Sequence, residues 1–209
     1  MGAGRIDMKR YFSVLPLLLV LAACSEAPKP AQKKEPPPPP EAVSGRDAFF
    51  KMFGPARAWA TDVQPLELVS IHLPEVQAEP GKAGAWQATF VSLSKAKKRV
   101  WTYSVVEAPG NLHKGVFAGL EGSYSPAAAV QPWLMAALKT DSDEAYKTAL
   151  AKAAEYNKKN PGKTITFLLQ KTKKFSNPAW RVVWGESVGT SNFSIFVDAS
   201  TGAYLETAR

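Results

Sequence analysis

Residues 179–204 read AWRVVWGESVGTSNFSIFVDASTGAY. In Ala179–Gly185 the residues Trp180, Val182 and Trp184 alternate with Arg181 and Val183. In Asn192–Asp198 the residues Phe193, Ile195 and Val197 alternate with Ser194, Phe196 and Asp198. A period of two, rich in aromatic and β-branched side chains, predicts two strands. The glycine-flanked segment between them predicts a hairpin connection. Ser200-Thr201-Gly202 then supplies turn chemistry: glycine for a positive φ, and Asp198 for local hydrogen bonds to the backbone. Tyr204-Leu205 opens a further strand.

Working upstream, Asp141-Ser142-Asp143-Glu144 predicts a helix start, with Asp141 as cap and Glu144 closing a capping box. Ala145, Ala149, Ala153 and Tyr146, Leu150, Ala154 follow at helical spacing, and Asn157–Gly162 ends the helix at Pro161 and Gly162. Thr164–Gln170 is the next strand. An earlier stretch has the same plan. Asp47–Thr61 carries Phe49, Phe50, Phe53 and Trp59, with Pro55 expected to break or restart the helix. Strands are expected at Leu66–Leu73, Trp86–Leu93, Arg99–Glu107 and Gly115–Leu120. Pro132–Leu138 is expected to form a short helix or turn that packs Trp133 on the core.

The plan occurs twice. Ala85-Trp86-Gln87-Ala88-Thr89-Phe90 matches Ala179-Trp180-Arg181-Val182-Val183-Trp184, and Val106–Leu112 is similar to Val197–Tyr204 with one insertion. The fold class is therefore α+β, since helices are few and strands come in consecutive runs. Two units are expected, 45–125 and 126–209. Each is a helix on an antiparallel sheet of three or four strands, and the two sheets can either join or pack separately. Asp141–Ala145, the Pro178–Val182 strand and the Phe196–Gly202 turn, in that order, resemble the PepSY-like domains of bacterial envelope proteins. The first unit departs from that pattern by carrying Glu107-Ala108-Pro109-Gly110 at its turn. The resemblance implies binding to other envelope proteins, with restraint of a peptidase as the family's best-known role.

The N-terminus supplies an address. Lys9 and Arg10 precede an apolar run, Val14–Leu21, and Leu21-Ala22-Ala23-Cys24 closes it; Met8 opens the usual arrangement. This reads as a signal peptide, 1–23, too short for a spanning helix. Leu-Ala-Ala-Cys resembles the bacterial lipobox, which implies lipid on Cys24 and cleavage after Ala23. Ser25, where aspartate would hold a lipoprotein on the inner membrane, implies the outer membrane, facing the periplasm. Two or three acyl chains anchor firmly, at about 0.8 kcal/mol per buried CH2. Within the expected tether segment, 24–44, residues Pro28–Glu41 hold no apolar side chain larger than alanine or proline, and the run Pro36–Pro40 predicts a polyproline spacer.

Cys24 is the only cysteine, so once acylated it leaves no thiol for a disulfide, a metal or catalysis. His72 and His113 show no metal-ligand spacing, and no phosphate loop or dinucleotide fingerprint occurs. No cofactor is expected. Gly185-Glu186-Ser187-Val188-Gly189 fits the nucleophile-elbow pattern. That chemistry needs a strand-to-helix turn and a later histidine. Here a strand follows Ser187, and both histidines precede it, so a hydrolase built on Ser187 is disfavoured.

The whole chain carries a net charge of +8; without 1–23, which holds Arg5, Asp7, Lys9 and Arg10, 23 basic and 17 acidic residues remain, or +6. Basic residues cluster at Lys95–Arg99 and Lys171–Lys174, between strands, where lysine also protects sheet edges. Anionic lipid beside the anchor is the other reading, and nucleic acid is not expected at this location. The functional expectation is a non-catalytic envelope module that binds a protein partner. The alternative is a small-ligand or lipid carrier, which needs an apolar cavity of roughly 300 Å³ or more. The candidate partner surface is Arg181, Val183 and Phe196, opposite the helix-facing set. It lines either a partner site or a contact between the two units.

Overall fold

The computed structural model describes residues 38–126 and 129–209. The expected signal peptide, Cys24 and most of the expected tether lie outside them. In chain order the elements are β1 (Val43–Ser44), α1 (Gly45–Trp59), β2 (Gln64–Ile71), β3 (Lys82–Ala83), β4 (Ala85–Ser92), β5 (Lys97–Ser104), β6 (Gly115–Ser123) and β7 (Val130–Gln131). A 3-10 turn at Met135–Ala137 leads to α2 (Ser142–Lys152), α3 (Ala154–Lys159), β8 (Ile165–Thr172), β9 (Ala179–Trp184), β10 (Ser194–Asp198) and β11 (Tyr204–Ala208).

The fold is α+β with one large antiparallel sheet. The strand order is β11-β10-β9-β8-β2-β4-β5-β6; β7 adds to β8, and β1 pairs separately with β3. Strands of both sequence halves therefore join edge to edge. The seam is β2 against β8, where Leu68 faces Leu169. Both residues are fully buried, which fixes the register.

Helices α1 and α2 cover one face. Phe49, Met52 and Ala56 of α1, Ala145 and Ala149 of α2, and Ala153 just after it pack on Leu68, Trp86, Phe90, Leu169, Trp180 and Trp184 in one continuous core. The alternating apolar residues of β9 and β10 face this core, as their period requires. Trp133 is buried and stacks on Phe49 at 5.7 Å. Its N–H and indole N–H donate to the carbonyls of Pro65 and Leu66, at a bulge in β2.

The helix starts lock each other. Asp141 caps α2, and Glu144 returns a bond to the Asp141 N–H, completing the capping box. Asp141 also accepts from Ser44 Oγ (2.7 Å) and from the Arg46 N–H (2.8 Å), while the Gly45 N–H donates to Ser142 Oγ (2.7 Å). Polar groups that a helix start leaves unpaired are thus met by the other helix.

Three expectations need correction. Helix α1 runs through Pro55. Gly54 before it lacks the Cβ that would clash, both residues are exposed, and buried Met52 and Ala56 hold the segment on the core. The second helix is split at Ala153 (φ −98°, ψ 8°). Beyond the break, Tyr156 stacks on Phe193 at 3.8 Å. Finally, Val106–Leu112 is not the counterpart of Val197–Tyr204. Trp86 faces Tyr103 and Trp180 faces Val197, so Tyr103 is the register equivalent of Val197. Strand β5 ends at Ser104, and Val105–Lys114 is a loop with Gly110 and Asn111 at positive φ.

Candidate partner surface

No helix among the described residues packs on the second face of the sheet near β8, β9 and β10, because the halves join side by side. Arg181 and Phe196 are register partners there and are partly buried. The guanidinium stands 5.3 Å from the Phe196 ring centroid. Phe175 adds a tilted ring at 5.3 Å, and the Lys174 ammonium lies 5.8 Å from the Phe196 ring. Leu168, Gln170 and Ala179 complete a shallow hollow of about 170 Å³.

Charge balance in the patch is uneven. Lys174 pairs with Glu206 at 2.6 Å. Among the described residues no carboxylate pairs with Arg181. Its Nε donates to Ser194 Oγ at 2.9 Å, and burial pushes the guanidinium below its ordinary pKa. A partly desolvated arginine stacked on an aromatic ring, facing outward, is hot-spot composition.

Val183 is not part of this surface. It points to the same face but is fully buried. Its register partners Ser194 and Thr166 are also buried, and the Arg181 arm reaches across to Ser194, directly opposite Val183. Phe175 and Lys174 were missed by sequence reasoning. They lie in the β8–β9 connection, where no periodicity marks which way a side chain faces.

The turn after β10 holds the patch in place. Asp198 Oδ1 accepts from the N–H groups of Ser200 (2.8 Å) and Thr201 (2.9 Å), and Gly202 closes the turn at φ 73°. Burial pushes the Asp198 carboxyl up, but the Asn177, Ser200 and Thr201 hydrogen bonds outweigh it and leave the pKa lowered.

Ser187 lies in the β9–β10 connection, with Oγ 2.8 Å from Thr190 Oγ1. A strand follows it, so the strand-to-helix elbow is missing. His113 pairs with Glu107 on an exposed loop, and His72 follows β2. Among the described residues no group of three or more His, Cys, Asp or Glu could hold a metal, and no helix is long and apolar enough to cross a membrane. The basic clusters do not fall wholly between strands as expected: Lys97, Lys98 and Arg99 open β5 and Lys171 lies near the end of β8, which leaves Lys95 in the β4–β5 connection and Lys173 and Lys174 in the β8–β9 connection. Since β4 and β8 both run antiparallel to β2, the two clusters sit at the same end of the sheet.

A larger cleft, about 520 Å³, opens where β2, β8 and α2 meet the loop before β4. Phe167, Ile165 and Tyr146 give it an apolar floor, while His72, Lys82 and Lys163 are polar groups in its wall.

No family model and no curated protein matches the chain. Among solved structures it is similar to a candidate lipoprotein of Clostridium difficile 630, at 10% identity and a TM-score of 0.49, over 77% of this chain and 91% of that one.

Proposed function

We propose that the chain is an envelope lipoprotein, anchored through Cys24, whose folded part is a non-catalytic module that binds another envelope protein. The observation that carries the binding role is the Arg181–Phe196 pair with Phe175 and Lys174, on a sheet face that no helix among the described residues covers. The lipobox and the proline-rich segment support the anchor and the tether. Ser25 supports sorting to the outer membrane. The two halves are read as PepSY-like repeats. In support, each half places a helix before a four-strand antiparallel run, and the first long strands of the two runs pair at the seam. A peptidase is the partner class that this resemblance implies.

The 520 Å³ cleft exceeds the roughly 300 Å³ that a carrier needs. Its wall, however, holds lysines and main chain, where a lipid carrier needs a sealed apolar cavity. Crosslinking in the intact envelope tests the module. Recovery of one specific envelope protein supports it, and recovery of bulk lipid alone refutes it. Covalent labelling of Ser187 by a fluorophosphonate would instead establish a hydrolase.

A further inference from the structure

The seam between β2 and β8 is only partly closed. Its ladder runs Glu67–Gln170, Leu68–Leu169, Val69–Leu168 and then stops, although β2 continues to Ile71 and β8 begins at Ile165. At the next step the Phe167 N–H donates to the Ser70 hydroxyl (2.9 Å), and Ser70 and Phe167 form no ladder pair. A serine side chain has taken the place of a main-chain acceptor, and the strands part there.

The direction of the free groups follows from strand geometry. Successive residues aim their main-chain groups to opposite sides of a strand. Thr164 aims at β9, since its carbonyl accepts from the Gly185 N–H. Phe167 aims at β2. Ile165, two residues before it, therefore turns its N–H and C=O toward the gap. Ser70, Ile165 and Phe167 all line the 520 Å³ cleft, so the cleft holds a strand edge inside the sheet.

Side-chain chemistry adds two requirements. Phe167 and Tyr146 offer an apolar floor, and Lys163 stands exposed beside it with its ammonium on the Tyr156 hydroxyl (3.2 Å). Among the described residues no carboxylate pairs with Lys163, whereas Lys82 is held by Glu79. A ligand suited to all three features has main-chain hydrogen-bonding groups, an apolar side chain and a carboxylate.

We propose that the cleft receives an extended peptide segment of a partner, added as a short strand beside Ile165, with a carboxylate at Lys163. Strand addition of this kind draws affinity from main-chain bonds and specificity from the alternate side chains. The proposal deepens the protein-binding reading by giving it a second site on the opposite side of the sheet from Phe196.

The test uses two random pentapeptide pools on the chain purified from membranes in mild detergent. One pool ends in a free carboxylate. The other is amidated and carries one aspartate. Selected peptides are measured by fluorescence polarisation against three variants. Ala78→Trp fills the mouth from an exposed loop position. Lys163→Glu reverses the rim charge, and Phe196→Ser leaves the cleft intact. The expected result is a peptide that loses at least about tenfold in affinity on Ala78→Trp and on Lys163→Glu, with Tm unchanged and Phe196→Ser binding as wild type. The pool that supplies it tells a chain terminus from an acidic side chain. If no peptide distinguishes wild type from Ala78→Trp, the proposal is overturned, and the Phe196 surface stands or falls separately by crosslinking.

Discussion

Trp86 and Trp180 meet edge to face beneath the start of α1, ring centroids 6.3 Å apart and planes at 71°. Both are fully buried. Trp86 lies on β4 and Trp180 on β9, one from each side of the β2–β8 seam. Each indole N–H is paired, Trp86 to the Val43 carbonyl (3.0 Å) and Trp180 to the Thr140 carbonyl (2.9 Å). The pair thus ties the two halves of the sheet to the segments that lead into both helices.

Gly45 is the residue this pair requires. A Cβ there would stand 2.7 Å from Trp180 Cη2 and 3.0 Å from Trp86 Cη2. Overpacking costs about 1–3 kcal/mol, against at most about 1 kcal/mol that alanine gains over glycine within a helix. Overpacking wins because neither ring has room to move. Gly45→Ala should therefore lower Tm by about 2–8 °C. An unchanged Tm in thermal unfolding would mean that the rings give way freely.

Asp141 serves both helices, so its loss should exceed that of an ordinary cap. A cap contributes about 1 kcal/mol, and stranding further buried donors adds about 1–3 kcal/mol. Asp141→Ala is expected to cost about 2–4 kcal/mol. Ser44→Ala removes one of its partners and a 3.3 Å cap bond, and should cost about 1 kcal/mol. Urea unfolding of both variants checks the order; equal costs would refute the shared role.

Asp62 sets an acid limit. Its carboxylate accepts from Ser92 Oγ (2.6 Å) and the Ser94 N–H (2.8 Å). Those bonds, the Ser92 hydroxyl first, pull its pKa from 3.8 down to about 2. The unfolded chain therefore takes up the proton first as pH falls. The contribution of Asp62 is complete above about pH 4 and is lost as pH drops through about 2. Asp62→Asn should be less stable than wild type at neutral pH and should lose less of its Tm between pH 4 and 2. Parallel Tm curves for the two proteins would contradict this.

Lipid on Cys24 is a separate commitment. Growth with a radioactive fatty acid should label the wild-type chain and place it with membranes. Cys24→Ala should abolish both. A Cys24→Ala chain that still takes up label would sink the anchor.

What could be read from the sequence was local. The β9–β10 alternation, the Asp198–Gly202 turn and the Asp141–Glu144 capping box depend on residues within a few positions of each other. Partners far apart were not legible. Ser44 and Arg46 reach Asp141 across more than ninety positions, and Leu68 meets Leu169 across a hundred. Nothing in either segment specifies the other, so the joined sheet and the parted seam had to come from the structure. At the candidate surface the period of two placed Arg181, Val183 and Phe196 on one face. It could not say that an arginine arm would reach across the valine, or that a loop would bring Phe175 and Lys174 alongside.

The binding surface is tested most directly by Phe196→Ser, read for partner capture and for stability together. The side chain is partly buried between Arg181 and Phe175 and lies outside the helix-facing core. The account predicts that the variant keeps the wild-type Tm and loses the envelope protein that wild type crosslinks. Capture at the wild-type level, or a loss of capture matched by a large fall in Tm, would contradict it.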